Sequence, residues 1–195
     1  MLNPNFVFLG AIFNLTGSSS YAFDTLRGKT QPNRVTWLLW AVAPLIAFSA
    51  QISAGVGIRA LMTFMVGFGP AVIFTSSFFN KKAYWKVSKL DIVCGVMSVL
   101  AIVLWLLTKT GDIAILFSLV ADALALIPTL LKAIKAPETE SYNVFFFGAI
   151  SAAITLLTIS HWTFTVAAFP IYILTHCTIL FLLIFRKQGI HLVKA

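Results

Sequence analysis

Charge is what this sequence has least of. Only 10% of its 195 residues are Asp, Glu, Lys or Arg, against about 25% in soluble domains. Too few polar groups remain to cover a solvated surface, and this excludes soluble enzymes, nucleic-acid-binding modules and disordered chains. Acid is scarcer than base, six against 14 residues, for a net charge of +8. On a soluble chain that excess would point to a polyanion; here it is read as positive charge gathered on cytoplasmic loops. Cysteine is nearly absent. Cys94 and Cys177 both lie in apolar stretches, so neither a disulfide nor a metal site is expected. The N-terminus lacks the basic segment of a cleavable leader. Catalytic patterns are missing too: there is no His-Glu-x-x-His, no Gly-x-Ser-x-Gly and no close carboxylate pair at membrane depth. An enzyme is not expected, and neither a cofactor nor a metal ligand set is assigned. The last apolar stretch also lacks the deep lysine that a retinal protein needs.

What the sequence does have is long apolar runs. The hydrophobic fraction is 59%, and a spanning helix needs about 20 such residues. Seven spans are predicted, over 5–26, 35–54, 58–79, 90–108, 112–134, 141–160 and 164–185. The connectors are short and leave no room for a soluble domain. Continuous runs also exclude a strand-built barrel, which alternates in segments of about ten residues. Arg27, Lys29, Arg34, Lys81, Lys82, Lys86, Lys89, Lys132, Lys135, Arg186, Lys187 and Lys194 fall on one side of this plan. Arg59 and Lys109 fall on the other. The asymmetry places the N-terminus outside and the C-terminus in the cytoplasm, in a multi-pass protein expected in a plasma (inner) membrane.

The first span aligns with the fifth at an offset of 104, matching Phe13 with Phe117, Leu15 with Leu119, Thr25 with Thr129 and Leu26 with Leu130. The third aligns with the seventh at an offset of 100, matching Phe64 with Phe164, Val66 with Val166, Ile73 with Ile173 and Thr75 with Thr175. The coincidence of Pro70 with Pro170 carries most weight, because mid-helix proline is rarer than Phe or Leu. The expected fold is therefore all-α and integral to the membrane, with two three-helix repeats joined by a linker helix. Residues 1–80 form the first repeat, 81–111 the linker helix, 112–186 the second repeat and 187–195 a cytoplasmic tail. Three helices are an odd number, so the linker restores the orientation and makes the repeats parallel. In parallel-repeat transporters the repeats are related by an axis along the membrane normal.

The three-plus-one-plus-three plan with this topology resembles the SWEET and PQ-loop transporters. Ile127-Pro128-Thr129-Leu130-Leu131-Lys132, followed by Pro137 and Ser141, is similar to their Pro-Gln signature, with Thr129 where Gln would stand. Asp24-Thr25 is the matching pair in the first repeat. The resemblance implies movement of small neutral or zwitterionic solutes such as sugars and amino acids. Members that carry sugars place asparagines from the third and seventh helices in the pocket; this chain has Ser76 and His176 there.

Polar residues at membrane depth tend to face a cavity or a partner helix. Ser118, Asp122, Ala125 and Thr129 share one face of the fifth span. They align with Asn14, Ser18, Tyr21 and Thr25 on one face of the first. Two such stripes are what a shared path needs, and helix packing through small residues is the competing reading. Asp122 is the sharpest residue. A carboxylate at that depth costs about 2.5–3.5 kcal/mol on insertion scales, and no Lys or Arg shares its level. Asp122 is thus the expected site of proton coupling, with solute and proton bound to one conformation and crossing together. Pro44, Pro70, Pro128 and Pro170 are candidate hinges, since each removes a backbone bond from its helix. Trp37 is assigned to an interfacial aromatic belt.

The functional expectation is a transporter of a small polar solute, working by alternating access between the repeats. The alternative is a non-transporting scaffold or assembly protein of the same fold. The expected partners are a lipid bilayer, a small-molecule solute and, as an option, further copies of the chain in a homo-oligomer; nucleic acid is not among them.

Overall fold

A computed structural model describes residues 2–81, 85–108 and 111–194, so that Lys82 and Lys109 lie outside the described residues. Those described fold into seven α-helices and no strand. They are α1 (Phe6–Leu26), α2 (Arg34–Ser53), α3 (Ala60–Ser76), α4 (Lys89–Thr108), α5 (Gly111–Lys135), α6 (Tyr142–Leu157) and α7 (Phe164–Lys194). Single 3-10 turns at Gly57–Arg59 and Pro137–Thr139 lead into α3 and α6. Away from water a helix satisfies every backbone group within its own segment, so continuous apolar runs fold this way. Among the described residues five helices are long and apolar enough to cross a membrane: α1, α2, α3 with its leading turn, α5 and α7. α6 is apolar but shorter, and α4 covers 20 residues of similar character.

Local chemistry sets the helix ends. The Asn33 side chain caps α2 by accepting from the backbone N–H groups of Val35 and Thr36 at 3.1 and 3.4 Å. Gly28 and Gly55, both at φ 74°, take the left-handed position just past α1 and α2. Three ends differ from the apolar runs. α3 stops at Ser76 rather than near Phe79, because the hydroxyls of Ser76 and Ser77 turn back to the carbonyls of Ile73 and Phe74 at 2.8 and 2.7 Å. α6 stops at Leu157, where Thr158 does the same to Thr155 at 2.7 Å. α7 continues to Lys194, so the segment expected as a tail is helical up to that residue. Hydropathy marks where a membrane would end, and nothing in 186–194 stops a helix there.

The connectors gather at two ends of the bundle. At one end Asn80 donates to the Leu26 carbonyl (2.7 Å), Gln31 N–H to the Thr139 carbonyl (2.9 Å), and Asn33 to Asp91. At the opposite end Leu2 N–H donates to the Leu157 carbonyl (2.9 Å), Arg59 to the Thr158 carbonyl (3.0 Å) and Thr165 to Asp112 (2.6 Å). The chain therefore runs up and down, and the first of these ends is the basic one.

Within the bundle α3 packs on α1 and α2, and α7 packs on α5 and α6. α1 lies along α6 and α2 along α5, while α4 stays outside against α5 and α2. Glycines allow the closest approaches. A methyl on Gly17 would come within 3.1 Å of the Val144 Cα on α6, and one on Gly69 would overlap the Ser18 hydroxyl on α1. The core between the helices includes Tyr21, Trp37, Trp40, Phe145, Phe169 and Ile173. Trp37 is 1% exposed. The expectation of an interfacial Trp37 is corrected: its ring is enclosed by Tyr21, Trp40 and Phe145. Large apolar side chains instead cover the outside, among them Phe8, Ile12, Ile92, Val96, Ile171 and Leu182, a continuous surface unsuited to water.

Candidate functional site

The polar stripe of α1 turns inward. Asn14, Ser18, Tyr21 and Thr25 are all buried, and so are Ser118, Asp122, Ala125 and Thr129 on α5. Between these helices lies a cavity of about 40 Å³. At ~10–15 Å³ for each water centre it has room for roughly three waters. Its wall takes residues from α1, α2, α3, α5, α6 and α7. The polar ones are Asn14, Ser18, Asp122 and His176, and Pro70 also faces it. Trp37, Trp40, Phe145 and Cys177 complete much of the remainder.

Asp122 is the centre of this site. Its Oδ2 accepts from the Tyr172 hydroxyl at 2.8 Å, and its backbone carbonyl accepts from the Trp40 indole at 3.2 Å. Its Oδ1 is buried and has no hydrogen-bond partner among the described residues. Tyr172 and His176 are four residues apart on α7 and so share a face. The His176 ring stacks on Trp40 with centroids 5.7 Å apart and planes at 24°, and Tyr172 leans on it at 4.8 Å. His176 Nε2 lies 3.5 Å from Cys177 Sγ. Asn14 Oδ1 and His176 Nδ1 are likewise buried without partners among the described residues. Trp37 Nε1 is also buried without a partner among the described residues, so the arrangement offers acceptors, a carboxylate and an indole donor among aromatic side chains.

Other residues singled out from the sequence lie elsewhere. Tyr21 sits nearer the basic end, with its hydroxyl donating to Glu140 Oε2 at 2.7 Å. Ser76 is the last residue of α3 and faces a surface groove with Leu26, Phe68 and Phe79. Its aligned partner His176 lines the cavity instead. Ser118 and Thr129 are buried in the helix packing, with unpartnered hydroxyls among the described residues, and do not line the cavity. Pro44, Pro70, Pro128 and Pro170 all lie inside helices.

A second polar centre, absent from the sequence reading, closes the basic end. Lys132 meets Glu140 at 2.6 Å, also donates to the Gln31 carbonyl, and lies 5.0 Å from the centre of the Trp85 ring. Gln188 of α7 donates to the carbonyls of Pro137 and Glu140, each at 2.9 Å. Glu140 sits in a connector, and nothing in its local sequence links it to Tyr21, 119 positions away. Trp40 and Tyr172 were missed for a different reason: they read as ordinary membrane aromatics. The spacing of Tyr172 four residues before His176 was the available signal. No family model, curated protein or solved structure matches this chain.

Proposed function

We propose that this protein moves a small polar solute across a membrane by alternating access between two parallel three-helix units, α1–α3 and α5–α7, joined by α4. The observation that carries the reading is a mostly apolar internal cavity with Asn14, Ser18, Asp122 and His176 in its wall, lined by all six of those helices and, among the described residues, by none of α4. The packing supports the units. Exchanging α1 with α5, α2 with α6 and α3 with α7 turns each main contact among these six helices into another: α1 on α3 becomes α5 on α7, α2 on α3 becomes α6 on α7, and α1 on α6 becomes α5 on α2, while α4 packs on α5 without a matching contact to α1 among the main ones. Pro70 and Pro170, aligned at the sequence offset of 100, fall on the helices that this exchange pairs. This is the arrangement implied by the SWEET and PQ-loop resemblance, and the basic end takes the cytoplasmic side by its charge.

A cavity with room for about three waters is read as that of a closed state, and the Tyr21–Glu140 bond from α1 to the second unit is the contact proposed to close the basic end. Alternating access supplies the larger opening that a solute needs. Asp122 is the proposed proton site, as the acidic group of the cavity wall. The test is purified protein in liposomes with a panel of labelled sugars, amino acids and small amines, with and without a pH gradient. Protein-dependent uptake of at least one solute is expected, with Asp122→Asn losing accumulation driven by the pH gradient. Absence of flux for the whole panel would favour the scaffold reading.

A further inference from the structure

The Asp122 carboxylate is half used. Tyr172 holds Oδ2 at 2.8 Å, and Oδ1 remains buried without a partner among the described residues. Asn14 Oδ1, on the same cavity, is in the same condition. Both side chains are more than nine-tenths buried. Two acceptors, one carrying a formal charge, thus belong to a wall that includes no Lys or Arg among its described residues. Trp37, Trp40 and Phe145 belong to the same wall, and aromatic rings attract cations through their quadrupole. An anion would meet the carboxylate. A neutral polyol could donate hydroxyls to these acceptors but would bring no charge to offset the carboxylate. A protonated amine supplies donors and the missing positive charge together.

We propose that Asp122 and Asn14 form a binding site for a small organic monocation with a protonated amine head, and that this cation and a proton exclude one another at Asp122 Oδ1. With Tyr172 on the other oxygen, Oδ1 takes one or the other. Either occupant neutralises the carboxylate, so one proton leaves as one cation enters. The carriage then becomes an exchange of cation for proton, in place of the joint crossing expected from the sequence. That last step rests on the transport reading above; the competition itself is a binding property. The groups around Asp122 allow it. α7 brings Tyr172, His176 and Cys177. α4 brings Cys94, with Asp91 engaged by Asn33 at the basic end. α2 has no titratable side chain after Arg34, which donates to Ser77. On α5 itself Asp112, Lys132 and Lys135 stand at the helix ends.

The full chain in detergent micelles is titrated with ethylammonium chloride, and tetramethylammonium, glucose and sodium acetate are run as comparison arms. Tryptophan fluorescence reports binding, because Trp37 and Trp40 line the cavity, and a pH electrode in weak buffer counts protons. Ethylammonium should saturate the signal, and glucose and acetate should not. Its affinity should fall about tenfold per pH unit on the acid side of the carboxylate's titration, with release there approaching one proton per cation bound. Asn14→Ala should weaken binding about tenfold, the loss of one hydrogen bond, without changing the protons released per cation. Asp122→Asn should abolish both signals while eluting as the parent does. If that variant does not fold, the pH dependence of the parent and of Asn14→Ala decides the matter. A saturating response to glucose alone, no response to ethylammonium, tetramethylammonium bound as tightly as ethylammonium, or cation binding that ignores pH would overturn the proposal. A protein that binds the cation and releases the proton but carries no solute in liposomes would instead overturn the transport reading and leave the site intact.

Discussion

The ammonium of Lys132 lies 2.6 Å from Glu140 Oε1, with both side chains almost entirely withdrawn from solvent. The other carboxylate oxygen, Oε2, receives the Tyr21 hydroxyl from α1 at 2.7 Å. One carboxylate in the connector before α6 therefore ties the inner parts of α1 and α5 together, and Gln188 fastens α7 to the same connector. The Tyr21–Glu140 bond and the Lys132 bond to the Gln31 carbonyl reach between the two proposed units at the basic end. In the transport reading they hold that end shut, and they must part before a solute can leave there.

A buried pair of this kind is costly to break from one side only. Glu140→Gln leaves the Lys132 charge enclosed without its counter-charge, and a loss of about 3–5 kcal/mol in stability is expected. Replacing the pair with apolar residues of similar volume and removing the hydroxyl that depends on it, as in Lys132→Met with Glu140→Leu and Tyr21→Phe, should return stability to within roughly 1 kcal/mol of the parent or better. Tyr21→Phe removes one hydrogen bond to a charged group and should cost about 1.5–3 kcal/mol. Denaturant unfolding of the protein in detergent measures all three. A single Glu140→Gln variant as stable as the parent would show that the pair is not sealed from water.

The two-ended grouping of connectors leads to a topology test. The basic end collects Arg27, Lys29, Arg34, Lys81, Lys86, Lys89, Lys132, Lys135 and Arg186 among the described residues, and Arg59 lies at the other. A reporter active only in the cytoplasm should be active when fused after Ala195. Placed in the loop before α5, it should be silent. The reverse pattern would invert the proposed orientation.

How much of this was visible beforehand follows from what each residue type signals. An apolar run declares a helix, because a backbone without water has few other ways to satisfy its polar groups, and α1, α2, α4 and α5 lie within a residue of the expected spans. Helix ends were less legible. Ser76 and Ser77 end α3 through side-chain bonds that hydropathy does not register, and α7 passes its apolar limit because a helix does not need lipid to continue. In the site, Asn14, Ser18, Asp122 and His176 stood out as polar groups against an apolar background. Trp40, Tyr172 and Phe145 did not, since aromatic residues are common throughout a chain with 18 Phe. Ser118 and Thr129 share the Asp122 face yet miss the cavity, because α5 packs on α2, α4 and α7 at once and one helical face meets more than one neighbour. The Tyr21–Glu140 contact joins distant segments and leaves no periodic trace.

The two native cysteines give a probe of access to the cavity without any substitution. Both are free and buried, but Cys177 lines the cavity and Cys94 does not. In the closed state neither thiol meets a reagent dissolved in water. If the units part during a transport cycle, a small charged methanethiosulfonate should reach Cys177 and leave Cys94 unmodified, since Cys94 lies on α4, away from the cavity. Peptide mass analysis over time should show modified Cys177 accumulating while Cys94 stays unmodified until denaturant is added. Solutes that occupy the cavity should slow the reaction. Gly148→Ala adds a second check. Its new methyl would stand 3.0 Å from the Cys177 sulfur, close enough to cover it, so labelling should fall even where the fold is kept. Equal modification of the two cysteines in the parent would mean that the reagent enters by general loosening of the bundle, and the cavity would lose its standing as a defined path.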